Sequence, residues 1–228
     1  MSIIFNNIDK MSFDDLGEES EFIPLMTSED EEALEKEVLP DVLSILPLTN
    51  TVLFPGVVMP INAGSDKSIK LINDANKSNK LIGVIAQKSP KVENPSIENI
   101  HGVGTVAKIL RVLKMPDGNT TVIIQGKKRF KIKSVVKTDP YIQATIESVN
   151  DKNQKKSNSK FSATIDAIKD IALKIIKENP NIPSEASFAI KNIHSSAFLI
   201  NFVCSNMNIT VKDKQNLLSS LSIHDRAL

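Results

Sequence analysis

The apolar residues of this chain change their spacing once, at "DKNQKKSNSK" (151–160), a ten-residue stretch without a single apolar side chain. Before it, short β-branched runs alternate apolar and polar residues and are bounded by turn formers, the signature of strands. After it, apolar residues recur at the three- and four-residue steps of helices. A sheet and a helix bundle cannot share one such pattern, so the chain reads as α+β: a β-rich lobe followed by a helical lobe.

Seven segments carry the strand pattern: 42–48, 57–61, 81–87, 102–114, 120–126, 129–136 and 141–149. A sheet of seven short strands is expected to curl on itself. Asp117-Gly118 lies between two of them and suits a tight hairpin turn, because that pair tolerates positive φ. In the last strand Ile142, Ala144 and Ile146 fall on one face, with Gln143, Thr145 and Glu147 on the other. One helix interrupts the strands, with Ser65 as its cap and Ile69, Ile72 and Ala75 near helical spacing.

Beyond residue 160 a first helix shows Ile165, Ile168, Ala172, Ile175 and Ile176 as one apolar face, and Asn179-Pro180 ends it. Further helices fit 184–193, capped by Ser184, 195–207, capped by Ser195, and 210–221, where Thr210 precedes Asp213. Ser222 and Asp225 again have cap spacing, yet the sequence stops within the first turns of that helix. A helix so short is marginal alone, so more protein is expected downstream.

Residues 1–40 hold 12 acidic and 2 basic residues, a net of −10, against +11 for the remainder. They read as an acidic flexible extension, in which Ser28 and Glu31 have capping-box spacing for a short helix at about 29–38. The domain map is therefore 1–40 extension, 41–150 β-rich lobe, 151–160 linker loop and 161–228 helical lobe. "KKRFKIK" (127–133) is basic enough to suggest nucleic acid. The alternation of Phe130 and Ile132 with Lys131 and Lys133 favours a half-buried strand with a solvated face. Cys204 is the sole cysteine, which rules out an internal disulfide and fits a reducing compartment. The opening "MSIIFNNIDK" lacks the apolar core of a signal peptide, and no apolar run is long enough to cross a bilayer, so a cytoplasmic location is the default.

Motifs that carry chemistry do not form. Gly126-Lys127 lacks the first glycine of a phosphate loop, Thr121 standing there, and it connects strand to strand. "HGVGTV" lacks the third glycine of a dinucleotide fingerprint and precedes a strand. His101, His194 and His224 are scattered, without the spacing of a zinc site. Cys204 falls on an apolar helix face, where a buried hydrophobe is expected. No catalytic, cofactor or metal residue is assigned, and the chain reads as a binding or assembly module.

"LPLTNTVLFPGVVMPI" (46–61), followed by "GSDKSIKLINDA", "LIGVIAQK", "HGVGTVAKILRVLKMPDGNTTVIIQGKKRFKI" and "YIQATIE", resembles the amino-terminal domain of the Lon ATP-dependent proteases. The order and spacing of six motifs agree over about 42–149. "LINFVCSNMNITVKDKQNLLSSLSIHDRAL" is similar to the helices that lead toward the ATPase module in that family. Thr49 and Asn50 depart from the Arg and Asp more frequent after "PL", so an ion pair made by those residues does not carry over. The resemblance implies a PUA-like, partly open β-barrel lobe and a helical lobe. It also implies a parent that degrades misfolded and regulatory proteins, a ring-forming homohexamer with an ATPase and a Ser-Lys peptidase. ATP and Mg would belong to that parent, and this fragment would recruit unfolded or damaged substrates.

The stretch 46–61 has two readings. Pro47, Pro55 and Pro60 fix strand entries and exits and Gly56 a tight turn, with Leu46, Leu48 and Val52 in the core. Alternatively, Leu53, Phe54, Val57 and Met59, extended by Met115, leave an exposed apolar patch for substrate or partner contact. A free-standing module that binds nucleic acid or oligomerises is the competing function. Tyr141 as the sole tyrosine leaves few stacking platforms for weak DNA binding.

Overall fold

The computed structural model describes residues 37–114, 120–151, 159–179, 182 and 185–228. Six strands, β1 (Val42–Leu48), β2 (Val58–Ala63), β3 (Leu81–Ala86), β4 (Val103–Lys114), β5 (Thr120–Lys137) and β6 (Gln143–Val149), form one sheet in the order β2-β5-β4-β3-β1-β6. Strand β6 also pairs with β5. Five strands therefore close a ring of pairings, β5-β4-β3-β1-β6, and β2 hangs outside it as an edge. The β1–β3 pair is parallel, which needs a crossover, and β2 with helix α1 (Asp66–Lys77) supplies it.

Strand β5 departs from the sequence reading, which ended one strand at Gly126 and began another at Arg129. Gly126 pairs with Ala107 and Arg129 with Thr105, so two lysines oppose Val106 alone. That bulge absorbs the break in alternation and lets one 18-residue strand continue. The first half of β5 pairs with β2 and its second half with β6, so this single strand joins ring and edge.

The two faces of the sheet bury separate clusters. Inside the ring lie Leu43, Ile45, Ile85, Val106, Phe130 and Ala144, contributed by all five strands. Phe130 is the bulkiest of these side chains, and two glycines make room for it. A Cβ on Gly104 would stand 2.3 Å from Ile85 Cγ1 and 2.5 Å from the Val84 carbonyl oxygen. One on Gly83 would meet Phe130 Cζ at 2.8 Å.

The outer cluster runs from Val84, Ala107 and Ile124 through Leu71 and Ile72 of α1 into the helices. These are α2 (Ser159–Glu178), α3 (Glu185–Asn192), α4 (Ser196–Asn206), α5 (Val211–Ser219) and α6 (Ile223–Ala227). Ser65, Ser195, Thr210 and Ser222 each accept a backbone N–H at the third residue on, as their spacing foretold. On α2, Ile165 and Ile176 are buried, but Ile175 is 53 % exposed, contrary to expectation. The helix packs on one side only, and Ile175 turns away with Ile171 one turn earlier. The helix expected at 29–38 lies outside the described residues up to 36, and Glu37 and Val38 are not helical. The Asp117-Gly118 turn lies outside the described residues, as do 152–158 of the expected linker.

Candidate functional site

The segment Leu53–Val57 is built into the fold rather than presented by it. Thr105 Oγ1 donates to the Leu53 carbonyl at 2.7 Å. Gly56, at φ 81°, donates its N–H to the Gly126 carbonyl at 2.9 Å, and Gly126 returns a 2.9 Å bond to Val57 O. Gly126 must be glycine because a Cβ there would sit 2.3 Å from Phe54 O. From the helical side, Asn201 Nδ2 donates to the Pro55 carbonyl at 3.2 Å. Leu53 and Val57 are buried and Phe54 is 0 % exposed. The exposed patch expected at these three residues is thereby corrected: their carbonyls are consumed on both sides, which turns the side chains into the outer core. Met59 is half-buried against that core, level with Ile124, and Met115 lies outside the described residues.

A partly exposed apolar surface lies on the opposite face of the same strands. Register places Val58, Gln125 and Lys108 in one row and Pro60, Ile123 and Arg111 in the next. Asn62, Thr121 and Leu113 form a third, where Thr121 Oγ1 donates to Asn62 Oδ1 at 2.9 Å. A bulge between Ile109 and Arg111 pushes out Leu110, which is 41 % exposed. Val58, Pro60, Leu110, Leu113 and Ile123 join neither core cluster among the described residues. The free edge of β2 is blunted by Pro60, which has no N–H to offer an incoming strand. This face therefore offers side-chain contact rather than strand addition.

The reading of the sequence missed this face, although a signal was there. "TTVIIQ" and "AKILRVLK" are apolar on both strand faces, and only one can meet the core beneath. A second exposed apolar group is helical: Ile171 and Ile175 on α2, and Phe188 on α3, 64 % exposed. Leu173, Ile176 and Ile182 line a cleft of about 520 Å³ between those helices, with Lys177 and Lys191 at its rim.

Charge is used internally. Arg129, 3 % exposed, donates to the carbonyls of Leu218 and Ser220 and to Asp151 Oδ1 at 2.7 Å. Arg226, 4 % exposed, reaches the same Asp151 oxygen at 2.5 Å and Asn201 Oδ1 at 2.9 Å. Burial holds the Arg129 pKa below its usual value, and Asp151 opposes that fall. One carboxylate thus latches strand β5 to helix α6, and α6, marginal by length, is held in place. Arg129 is thereby removed from the basic surface expected of "KKRFKIK".

The titratable groups that could do chemistry are dispersed. Burial pushes the Cys204 thiol up, away from the reactive thiolate. The His224 ring stacks on Phe161 at 4.0 Å, and His101, whose backbone N–H donates to the Ala86 carbonyl at 3.0 Å, lies near Lys88. Among the described residues no three His, Cys, Asp or Glu side chains converge on a metal position, and no helix is long and apolar enough to cross a membrane.

Residues 42–228 match the family described as the ATP-dependent protease La (LON) substrate-binding domain. A Lon protease of Flavobacterium johnsoniae is 59 % identical over 221 residues, covering 97 % of this chain and 27 % of that protein. One of Cytophaga hutchinsonii is 48 % identical over 207 residues, covering 91 % and 26 %. The chain spans about a quarter of the length of these relatives. The N-terminal domain of a Mycobacterium avium complex Lon protease superposes with a TM-score of 0.64 at 20 % identity, over 82 % of this chain and 94 % of that one. A Lon N-terminal domain protein from Xanthomonas campestris gives 0.59 at 14 %, over 81 % and 94 %. At such identities the two structures speak for the fold alone.

Proposed function

This chain belongs to the Lon substrate-binding domain family, and from that membership we propose that it recruits unfolded polypeptide for an ATP-dependent serine protease. The observation that carries the reading is the apolar face of Val58, Pro60, Leu110, Leu113 and Ile123, of which Leu110 is exposed and the other four half-buried, and which joins neither core cluster among the described residues. Unfolded chains expose scattered apolar segments, and a shallow apolar face without a deep pocket accepts many of them. The face replaces Leu53, Phe54 and Val57 as the contact surface, and Met59, half-buried on the core side of β2, lies outside it.

The parent would supply the rest: an ATPase, a Ser-Lys peptidase and a ring of six subunits. Gly126 and Lys127 lie inside a continuous strand rather than at a strand-to-helix turn, so they do not form a phosphate cradle. The nucleotide and its Mg²⁺ belong to the ATPase.

Titration of labelled, unfolded casein against the chain tests the reading. Each of Leu113 and Ile123 is already half-buried, so its further burial contributes about 1 kcal/mol. Leu113→Ser with Ile123→Ser is therefore expected to weaken binding at least about tenfold, with an unchanged circular dichroism spectrum. Unaltered affinity in that folded variant refutes the assignment of this face.

A further inference from the structure

Glu37, where the described chain begins, is held by two consecutive lysines. Lys127 Nζ lies 3.5 Å from Glu37 Oε2, and Lys128 Nζ donates to the Glu37 carbonyl at 2.7 Å. In a regular strand neighbouring side chains point to opposite faces and could not serve one residue. The bulge opposite Val106 removes that restriction.

What leads into this grip is acidic. Residues 1–36 hold 11 acidic and 2 basic residues, a net of −9, whereas 37–228 hold 16 and 26, a net of +10. Glu29, Asp30, Glu31, Glu32 and Glu35 all lie within eight residues of Glu37, at most about 28 Å of extended chain.

We propose that the acidic segment 1–36 docks on the lysine-bearing side of β5 in its own chain, with the Lys127–Lys128 bulge as its seat. Exposed ion pairs are individually weak. Fixed at Glu37, however, every further contact is intramolecular and made at high effective concentration. The side chain of Lys127 is only 15 % exposed, so its attraction for carboxylates is less screened than that of a free surface lysine. The segment then covers basic surface that would otherwise attract polyanions such as nucleic acid. This inference is independent of how substrate is bound.

The chain has no tryptophan, so Phe22→Trp places a unique fluorophore in the segment. Its anisotropy is expected to stand well above that of the isolated 1–36 peptide at low salt. It should fall toward the peptide value near 0.5 M salt, where screening acts over about 4 Å. Lys127→Glu with Lys128→Glu should cause the same loss, and Lys108→Glu with Arg111→Glu should not. Because reversal inside β5 could disturb the ring, a second variant neutralises Glu29, Asp30, Glu31, Glu32 and Glu35 as Gln and Asn, and should also free the probe. Peptide-like anisotropy in the unaltered chain overturns the proposal, as does equal sensitivity to the Lys108 and Arg111 reversals. Loss of anisotropy on dilution overturns it as well, since docking would then be between copies.

Discussion

Alanine at Gly104 is the sharpest test of the ring interior. Its Cβ would lie 2.3 Å from Ile85 Cγ1, 2.5 Å from the Val84 carbonyl oxygen and 3.0 Å from Phe130 Cε1. The Ile85 methylene could yield by rotation. The Val84 oxygen belongs to the backbone of the paired strand β3 and yields only if the strands part. Overpacking in a filled core costs about 1–3 kcal/mol, and a backbone obstacle puts Gly104→Ala at the upper end. The stiffer unfolded chain returns about 0.4–1 kcal/mol, leaving a net loss near 2 kcal/mol. At Gly83 the nearest atoms are the far ends of Ile45 and Phe130 side chains, so Gly83→Ala should cost about 1 kcal/mol. Gly102 has no atom within 4 Å of the added Cβ and serves as the neutral control. Urea unfolding followed by far-ultraviolet circular dichroism should rank the midpoints Gly102→Ala, Gly83→Ala, Gly104→Ala in falling order, with slopes unchanged. For a domain of this size the largest loss corresponds to about 4–8 °C in Tm. Equal stability of Gly104→Ala and Gly102→Ala would show that Phe130 does not fill the ring as described.

Phe54→Ala should destabilise the fold by about 3–5 kcal/mol, seen in the same urea titration, because the ring is wholly buried; a fully stable variant with weakened casein binding would return Phe54 to the surface. His101 has a folded pKa below the ordinary 6.5, through burial first and Lys88 second. The unfolded chain therefore binds the proton more tightly, so stability should fall as pH drops from about 6.5 through the lower folded value, and His101→Gln should flatten that slope.

Most of the scaffold was legible because local chemistry and tertiary structure agree. Ser65, Ser195, Thr210 and Ser222 cap helices where their spacing placed them, and the loss of apolar residues from 151 marks the change of pattern, although Ser159 and Lys160, read as linker, already open α2. What failed depended on contacts between distant residues. The break read at Lys127–Lys128 is a bulge, and Gly126 is needed by the Phe54 carbonyl, some seventy positions earlier. Leu53, Phe54 and Val57 could be assigned to core or surface only once Thr105, Gly126 and Asn201 were known to take up that loop's backbone groups. The half-buried outer face of Val58, Leu113 and Ile123 was hidden for a related reason: a strand apolar on both sides reads as buried on both until the covering layers are located.

The partners of Arg129 set an order on how the molecule comes into being. A chain synthesised from its N-terminus has all six strands once Val149 has emerged, but the Asp151 carboxylate and the carbonyls of Leu218 and Ser220 are not yet available. Until helices α4 to α6 arrive, a ring that closes early carries a solvated guanidinium where the finished molecule is dry, and the outer apolar cluster lacks its helical share, Phe198, Leu199 and Ile200 included. At about 5–20 residues per second that interval lasts roughly 4–15 s. During it, the nascent domain displays the kind of surface that the mature one is proposed to seek in others.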